Sequence, residues 1–384
     1  VYPASVSEQF YRIYGVQPQI VVRAPGRINL IGEHTDYNEG FVLPAAIDRA
    51  IWLAVSPRDD RQIQFHALDL DDAYLGDLSS LQKSPQIWPD YLLGCISECL
   101  KDGHEITGVN VVFGGDIPHG AGLSSSAALE SGMLFALNEI FGLQLERQAL
   151  ALLAQRAENC FVGAQCGIMD MFASLMGREG CALKLDCRSL VMTPVSLHHA
   201  DTALLLCDTG VKHQLASTAY NTRRAECEEG VRFLRPLFPE ISSLRDVDLA
   251  MLEAGKKQLR EVVYRRCKFV IEENSRVEKA CKLLETNGLS SIGSLLYASH
   301  LGLRNQYEVS CPELDFLVDH TPDSLSFFGA RMMGGGFGGC TLNVLKQESV
   351  PGFTNYLSKK YREKFGRELR CWGVKISNGV ERIS

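Results

Sequence analysis

The sequence predicts two α/β domains that meet near residue 200. Three observations predict it. With 384 residues, 46% of them hydrophobic, the chain can bury two cores or one large one. Its first half mixes strand-like runs with segments of helical period. A polar connector at 195–202, "VSLHHADT", then precedes a fresh strand and two long polar-faced helices.

Taken in order, "QIVVRAP" reads as a strand ending at the Pro25-Gly26 turn, and "FVLPAAID" and "IWLAVSPR" read as extended. "VNVVFGGDIP" is a β-branched run closed by glycines and a proline. Apolar spacing predicts a helix over 126–140, "SAALESGMLFALNEI", and a second over "RQALALLAQRAENCFVG". After the connector, "ALLLCDTG" reads as a strand. Helices follow over "TAYNTRRAECEEGVRFL" and "FVIEENSRVEKACKLLET", then a shorter one near "SIGSLLYASHLGL" and a glycine-rich strand-turn region at 329–345. The division falls between 1–199 and 200–384, with no internal repeat or low-complexity stretch. A site between the halves is the default expectation.

Composition excludes several classes. A net charge of −7 and a pI near 5.8 argue against a nucleic-acid backbone binder. No apolar run is long enough to cross a bilayer, and no basic-then-apolar leader opens the sequence, so no membrane partner is expected. The thirteen cysteines are odd in number and lack a Cys-x-x-Cys pair. Cys95 and Cys99 fall on one helix face. Reduced core thiols in a cytoplasmic protein follow. The nine histidines are scattered apart from His198-His199, in a loop. Arg223-Arg224 and Arg265-Arg266-Cys267-Lys268 read as solvated faces, with anion contacts as the alternative. Nothing points to a large exposed apolar face, so a monomer is expected.

"GRINLIGEHTDY", residues 26–37, interleaves Arg27, Glu33, His34 and Asp36 with Ile28, Leu30 and Ile31. Charged heads so close to apolar residues are either a solvated loop or a convergence on a polar guest. "PHGAGLSSSAALE", residues 118–130, joins a strand to a helix. Gly120 and Gly122 permit positive φ, and Ser124, Ser125 and Ser126 supply hydroxyls where unpaired N–H groups already favour an anion. One serine would serve an ordinary N-cap; three after two glycines exceed that need. The loop suits a triphosphate, yet it is neither a Walker loop nor a dinucleotide fingerprint. A magnesium ion on a serine hydroxyl would need a carboxylate from elsewhere, and Glu158 and Asp170 are the candidates. Asp170, between Met169 and Met171, reads equally as an acid paired to an arginine or capping a helix after Gly167, or as an acid that takes a hydroxyl proton. "ARMMGGGFGGC", residues 330–340, places five glycines in six positions around Phe337, more than a turn needs. Backbone packed on a ligand or another loop is expected there.

These three segments, in this order, resemble the motifs of the GHMP small-molecule kinases, and the Glu-His-x-Asp core resembles the galactokinase family within them. "AENCFVGAQCGIMD", "VKHQLASTAYNTRRAECEE", "LRDV", "YEVSCPELD" and "ISNGVERI" extend the similarity over nearly the whole chain. The resemblance implies a ribosomal-protein-S5-like N-terminal domain packed on a ferredoxin-like C-terminal one. It implies ATP-dependent phosphorylation of the anomeric hydroxyl of galactose. By the same resemblance Arg27 and Asp170 are the catalytic pair, and Glu33, His34, Asp36, Gly167, Asp170 and Tyr220 contact the sugar. Ser126 and Glu158 would hold Mg2+; Gly120, Ala121, Gly122, Leu123, Ser124, Ser125 and Ser126 would cradle the phosphates, with Trp88 near the adenine. Three positions depart from the family pattern: Met171, Met333 and Phe269 stand where Gln, Thr and His are usual. The rival readings are a kinase of N-acetylgalactosamine, galacturonate or arabinose, and a non-catalytic galactose sensor. A metalloenzyme built on Glu33, His34 and Asp36 has too few ligands at workable angles.

Overall fold

The computed structural model describes residues 2–118, 120–197, 201–211, 216–322 and 326–384; His119, His198 and His199 lie outside them. A six-stranded sheet organises the first half. Its order is Glu381–Arg382, Ile20–Asn29, Pro44–Pro57, Val109–Gly115, Gln62–Ala67 and Asp72–Asp77, antiparallel except where Gln62–Ala67 runs parallel to Val109–Gly115. Strand alternation gives the sheet two apolar faces. Val22, Ala24, Leu53 and Val55 face the helices Trp88–Lys101, Ser125–Phe141, Arg147–Arg156 and Met169–Met176. Val21, Trp52, Ala54 and Val112 face Val6 and Phe10 of the helix Tyr2–Tyr14.

The strand that begins at Ile20 does not stop at Pro25-Gly26. It continues to Asn29 across a bulge between Pro25 and Arg27. Gly26 is what permits this, because a Cβ there would stand 2.8 Å from the Leu123 carbonyl. The "PAAID" of "FVLPAAID" and "IWLAVSPR" likewise share one long strand, Pro44–Pro57, while Phe41–Val42 form a short strand that pairs with Cys181–Asp186.

The second half carries an antiparallel sheet in the order Phe327–Met332, Cys340–Lys346, Thr202–Asp208 and Arg370–Val374. Leu317, Phe353, Leu357 and Tyr361 back it from Pro312–Asp319 and Val350–Phe365. Ala216–Leu234 packs on Glu261–Asn287, a 27-residue helix longer than its apolar pattern predicts. The chain end returns to the first half: Ile376 bridges Ile47, and Glu381–Arg382 pairs with the strand Ile20–Asn29. All thirteen cysteines are free. Cys95 and Cys99 are both buried on one helix, as their spacing implies. No helix among the described residues is long and apolar enough to cross a membrane.

The arginine clusters are split: Arg224, Arg265 and Lys268 keep partly exposed ion pairs on solvated faces, whereas Arg223 and Arg266 turn inward. Arg266 is fully buried, with Nε on Glu226 at 3.0 Å and Nη2 on Glu308 at 2.6 Å. Arg223 donates to the carbonyls of Tyr307 and Glu308. Buried guanidinium groups need such partners, and these helices supply them internally.

Candidate active site

Arg27 occupies the bulged end of its strand, where Ile28, Leu30 and Ile31, all with no exposed surface, fix the backbone in the core. Its Nε and Nη2 donate to the two carboxylate oxygens of Asp170 at 2.8 and 2.9 Å, a planar fork on a planar acid. Nη1 donates to the Gly122 carbonyl at 2.6 Å. Burial alone would lower the guanidinium pKa, but Asp170 and then Glu33 hold it above its usual value.

Asp170 lies in the first turn of Met169–Met176 and also accepts from the Ser124 hydroxyl. Ser124 is in the left-handed region at φ 59° and its side chain does not cap the helix that begins at Ser125. The ordinary N-cap reading therefore fails at this serine: the hydroxyl is spent on Asp170, and the helix's first N–H groups keep no side-chain cap.

Glu33, His34 and Asp36 follow the strand. The Gly334 N–H donates to Glu33 at 2.7 Å, and Arg331, itself fully buried, pairs with it at 2.9 Å. Asp36 starts the short 3-10 turn Asp36–Asn38. Burial, then the charge of Asp170, raises its pKa to about 7. Burial lowers that of His34 to about 3, so its imidazole is neutral at physiological pH. Tyr220, from the helix Ala216–Leu234, packs its ring 5.4 Å from that of His34. Gly167 is required by contact, because a Cβ there would lie 1.7 Å from Asp36 Oδ2. Arg27, Glu33, His34, Asp36, Gly167, Asp170 and Tyr220 all line one cavity of about 390 Å³, together with Gly334–Phe337.

The third glycine-rich segment is a loop packed on a loop. A Cβ on Gly334 would lie 3.5 Å from the Gly122 carbonyl, and one on Gly339 would lie 3.4 Å from the Ala121 carbonyl. Met333, almost fully buried, accepts from the Asn29 N–H through its sulfur; Met171 and Phe269 are also buried. None of the three departures lines the cavity.

Beyond Ser125 and Ser126 a second, mainly apolar cavity of about 190 Å³ opens. Trp88, Tyr91, Phe113, Ile117 and Leu129 wall it, and Trp88 Nε1 donates to Asp72 at 2.9 Å. The serine turn thus stands between a polar cavity and an apolar one. Of these walls only Trp88 is found from the sequence; Phe113 and Ile117 lie in the strand-and-loop run "VNVVFGGDIP", whose alternation marks a strand and not a pocket.

Glu158 sits in the π-turn Ala157–Val162 with Ser126 and Glu130 beside it, and Cys166 donates to it at 3.3 Å. Glu130 is fully buried, and neither of its oxygens has a donor. Burial pushes Glu130 and Glu158 upward in pKa. Two buried carboxyls and a hydroxyl form an oxygen-only donor set, which fits a hard divalent cation. Among the described residues no three His, Cys, Asp or Glu side chains make a ready cage. The rest of such an ion's shell would come from ligand oxygens and water.

Two consequences are measurable. Gly167→Ala displaces Asp36 and is expected to raise the KM of the polar ligand that fills this cavity about tenfold, the scale of one lost charge-assisted hydrogen bond, with kcat less affected. Steady-state kinetics check it. An Asp36 carboxylate that accepts from a hydroxyl of a ligand in this cavity requires the ionised form, so affinity is expected to fall as pH drops from 8 to 6 through about 7. Calorimetry over that range, with Asp36→Asn as the pH-flat control, checks it. For folding the sign is opposite. A raised acid pKa gives stability that is full below about 3.8 and is lost as pH rises through about 7.

A buried arginine–carboxylate pair lies beside an anion-ready helix start, and the family models put the chain among the small-molecule kinases of the GHMP class. The models of the GHMP kinase N-terminal and C-terminal domains match residues 90–178 and 270–363. The galactokinase galactose-binding signature matches residues 8–57. Galactokinase of Roseiflexus sp. is 41% identical over 98% of this chain and 96% of its own length. That of Chloroflexus aurantiacus is 40% identical over 94% and 93%. The crystal structure of Lactococcus lactis galactokinase complexed with galactose superposes with a TM-score of 0.94 at 31% identity, covering 98% of this chain and 99% of that one. Methanococcus jannaschii mevalonate kinase shares the fold, with a TM-score of 0.67 at 18% identity over 94% of this chain and 98% of that one. The chain belongs to the galactokinase family.

Proposed function

We propose that this protein transfers the γ-phosphoryl group of ATP to the anomeric hydroxyl of galactose, yielding galactose 1-phosphate. The observation that carries the reading is the position of the serine turn. Ser124 bonds to Asp170 on the sugar side, while Ser125 and Ser126 line the apolar cavity on the other. A nucleotide with its base in the cavity walled by Trp88 and Phe113 would lay its phosphates across the uncapped N–H groups of 124–126, toward Asp170.

Asp170 orients the anomeric hydroxyl and accepts its proton as the new O–P bond forms. Arg27 fixes the carboxylate and faces the migrating charge. Glu33, Asp36 and Asp170 accept from sugar hydroxyls, and Tyr220 closes the pocket. An epimer leaves some of these groups unpaired, which is the physical basis for rejecting it. Ser126 and Glu158 would hold Mg2+, which neutralises phosphate charge when bound. We assign the nucleotide and sugar motifs to 1–199 and the third glycine-rich motif to 200–384. Thirteen unpaired thiols suit a reducing cytoplasm, and a monomer is the working state.

The test is ATP consumption over a panel of sugars, with magnesium present or chelated. Galactose-dependent, chelator-sensitive turnover is expected. No turnover on any sugar, with galactose still raising the melting temperature, would identify a sensor instead.

A further inference from the structure

His34 is one end of a buried chain of polar atoms that crosses between the two halves of the molecule. Its Nδ1 lies 2.8 Å from the Tyr37 hydroxyl, which lies 2.8 Å from the Tyr307 hydroxyl. Tyr307 in turn lies 3.2 Å from Cys227 Sγ. The imidazole is fixed on several sides. Tyr307 and Tyr220 place their rings 4.7 and 5.4 Å away, and Asn38 donates to the His34 carbonyl at 2.9 Å.

Resting on the sugar-kinase reading above, we infer that Tyr37 and Tyr307 are positioning residues that hold His34 as the Nε2–H tautomer, making that N–H a donor to one hydroxyl oxygen of the sugar.

The direction of the chain decides the tautomer. Burial pushes the Cys227 thiol to about 12 and both phenols well above their usual range, so each keeps its proton at neutral pH. Run inward, Cys227 S–H donates to Tyr307, Tyr307 to Tyr37, and Tyr37 to the Nδ1 lone pair. Each phenol then donates once and accepts once, and the ring proton is left on Nε2. Run outward, the chain would end on a thiol sulfur, a weak acceptor, and would leave a bare lone pair on Nε2. Nε2 is buried, has no bonded partner and belongs to a side chain that lines the sugar cavity.

The pocket's chemistry gives this donor a purpose. Glu33, Asp36 and Asp170 are acceptors when ionised, whereas each sugar hydroxyl both donates and accepts. A neutral ring N–H supplies a donor without adding charge.

The test uses the full chain. NMR of ¹⁵N-histidine-labelled protein, assigned with His34→Asn, is expected to show the Nε2–H tautomer between pH 6 and 8. Tyr37→Phe is expected to mix the tautomers and raise the galactose KM about tenfold, with kcat and the ATP KM within about twofold. Among the 2-, 3-, 4- and 6-deoxygalactoses, the one lacking the hydroxyl that meets His34 loses its disadvantage in this variant. A wild-type Nδ1–H tautomer overturns the inference, as does an unchanged galactose KM in Tyr37→Phe. Should Tyr37→Phe fail to fold, the wild-type spectrum and Tyr307→Phe, expected to raise the galactose KM alone, decide the matter. Failure of the wild type to phosphorylate galactose would sink the functional reading instead, and the spectrum would still judge the chain of hydroxyls.

Discussion

Asp170→Asn is expected to lower kcat for galactose phosphorylation roughly a thousandfold while galactose still binds within about fivefold of wild type. The amide cannot accept a proton. It also cannot reproduce the three bonds at this carboxylate. Oδ2 receives both Arg27 Nη2 and the Ser124 hydroxyl, and Oδ1 receives Arg27 Nε. An amide oxygen placed at Oδ2 puts its NH₂ against the Arg27 Nε–H. The rest of the sugar cavity, Glu33, His34, Asp36 and Tyr220, is untouched, so binding persists. Steady-state kinetics and calorimetric titration with galactose separate the two effects. A variant keeping more than about a tenth of its turnover would remove Asp170 from the role of base.

Arg27→Leu is expected to damage both catalysis and stability, and so to differ in kind from Asp170→Asn. It removes the cation facing the transferred group, for which about a hundredfold or more in kcat is the usual scale. It also leaves Asp170 beside Asp36 with no arginine, and strands the Gly122 carbonyl that Nη1 satisfied. Losing one partner of a mostly buried pair costs about 3 kcal/mol. The side chain of Asp170 is 28% exposed, so the lower end of that range applies. A urea unfolding midpoint that falls further for Arg27→Leu than for Asp170→Asn, which keeps one acceptor oxygen for Arg27 and leaves Nη1 on the Gly122 carbonyl, checks the difference. Equal midpoints with normal turnover would mean that the fork is ornamental.

Much of the site was legible because short motifs carry it. Charged residues at 27, 33, 34 and 36 among fully buried isoleucines and leucine had to meet something polar, and all four line the same cavity. The serine loop was legible as an anion cradle, yet pattern alone could not tell its hydroxyls apart. Ser124 turned out to bond Asp170, 46 residues away, while Ser126 lies beside Glu158. Arg331, Tyr307 and Phe113 carried no local signal. Arg331 sits at the edge of the glycine-rich motif, Tyr307 at the start of a quoted segment and Phe113 in a strand run, and each matters through a neighbour distant in sequence. Arg223 and Arg266 were misread as solvated for the same reason, because charge spacing does not reveal whether acceptors wait on a facing element.

By itself the sequence determined the alternation of strands and helices, the reaction class carried by three ordered motifs, and the residue types available to a sugar and a phosphate. These are local properties, since period, glycine content and motif spacing act within a few residues. Tertiary structure alone decided that the strand of Arg27 runs past Gly26 through a bulge, and that the chain end returns to pair with that strand. It also decided that the two glycine loops pack on each other and that His34 is wired to Tyr307. Those contacts span tens to hundreds of residues, and their energies come from burial and hydrogen bonds that exist only once the two halves have closed around the site.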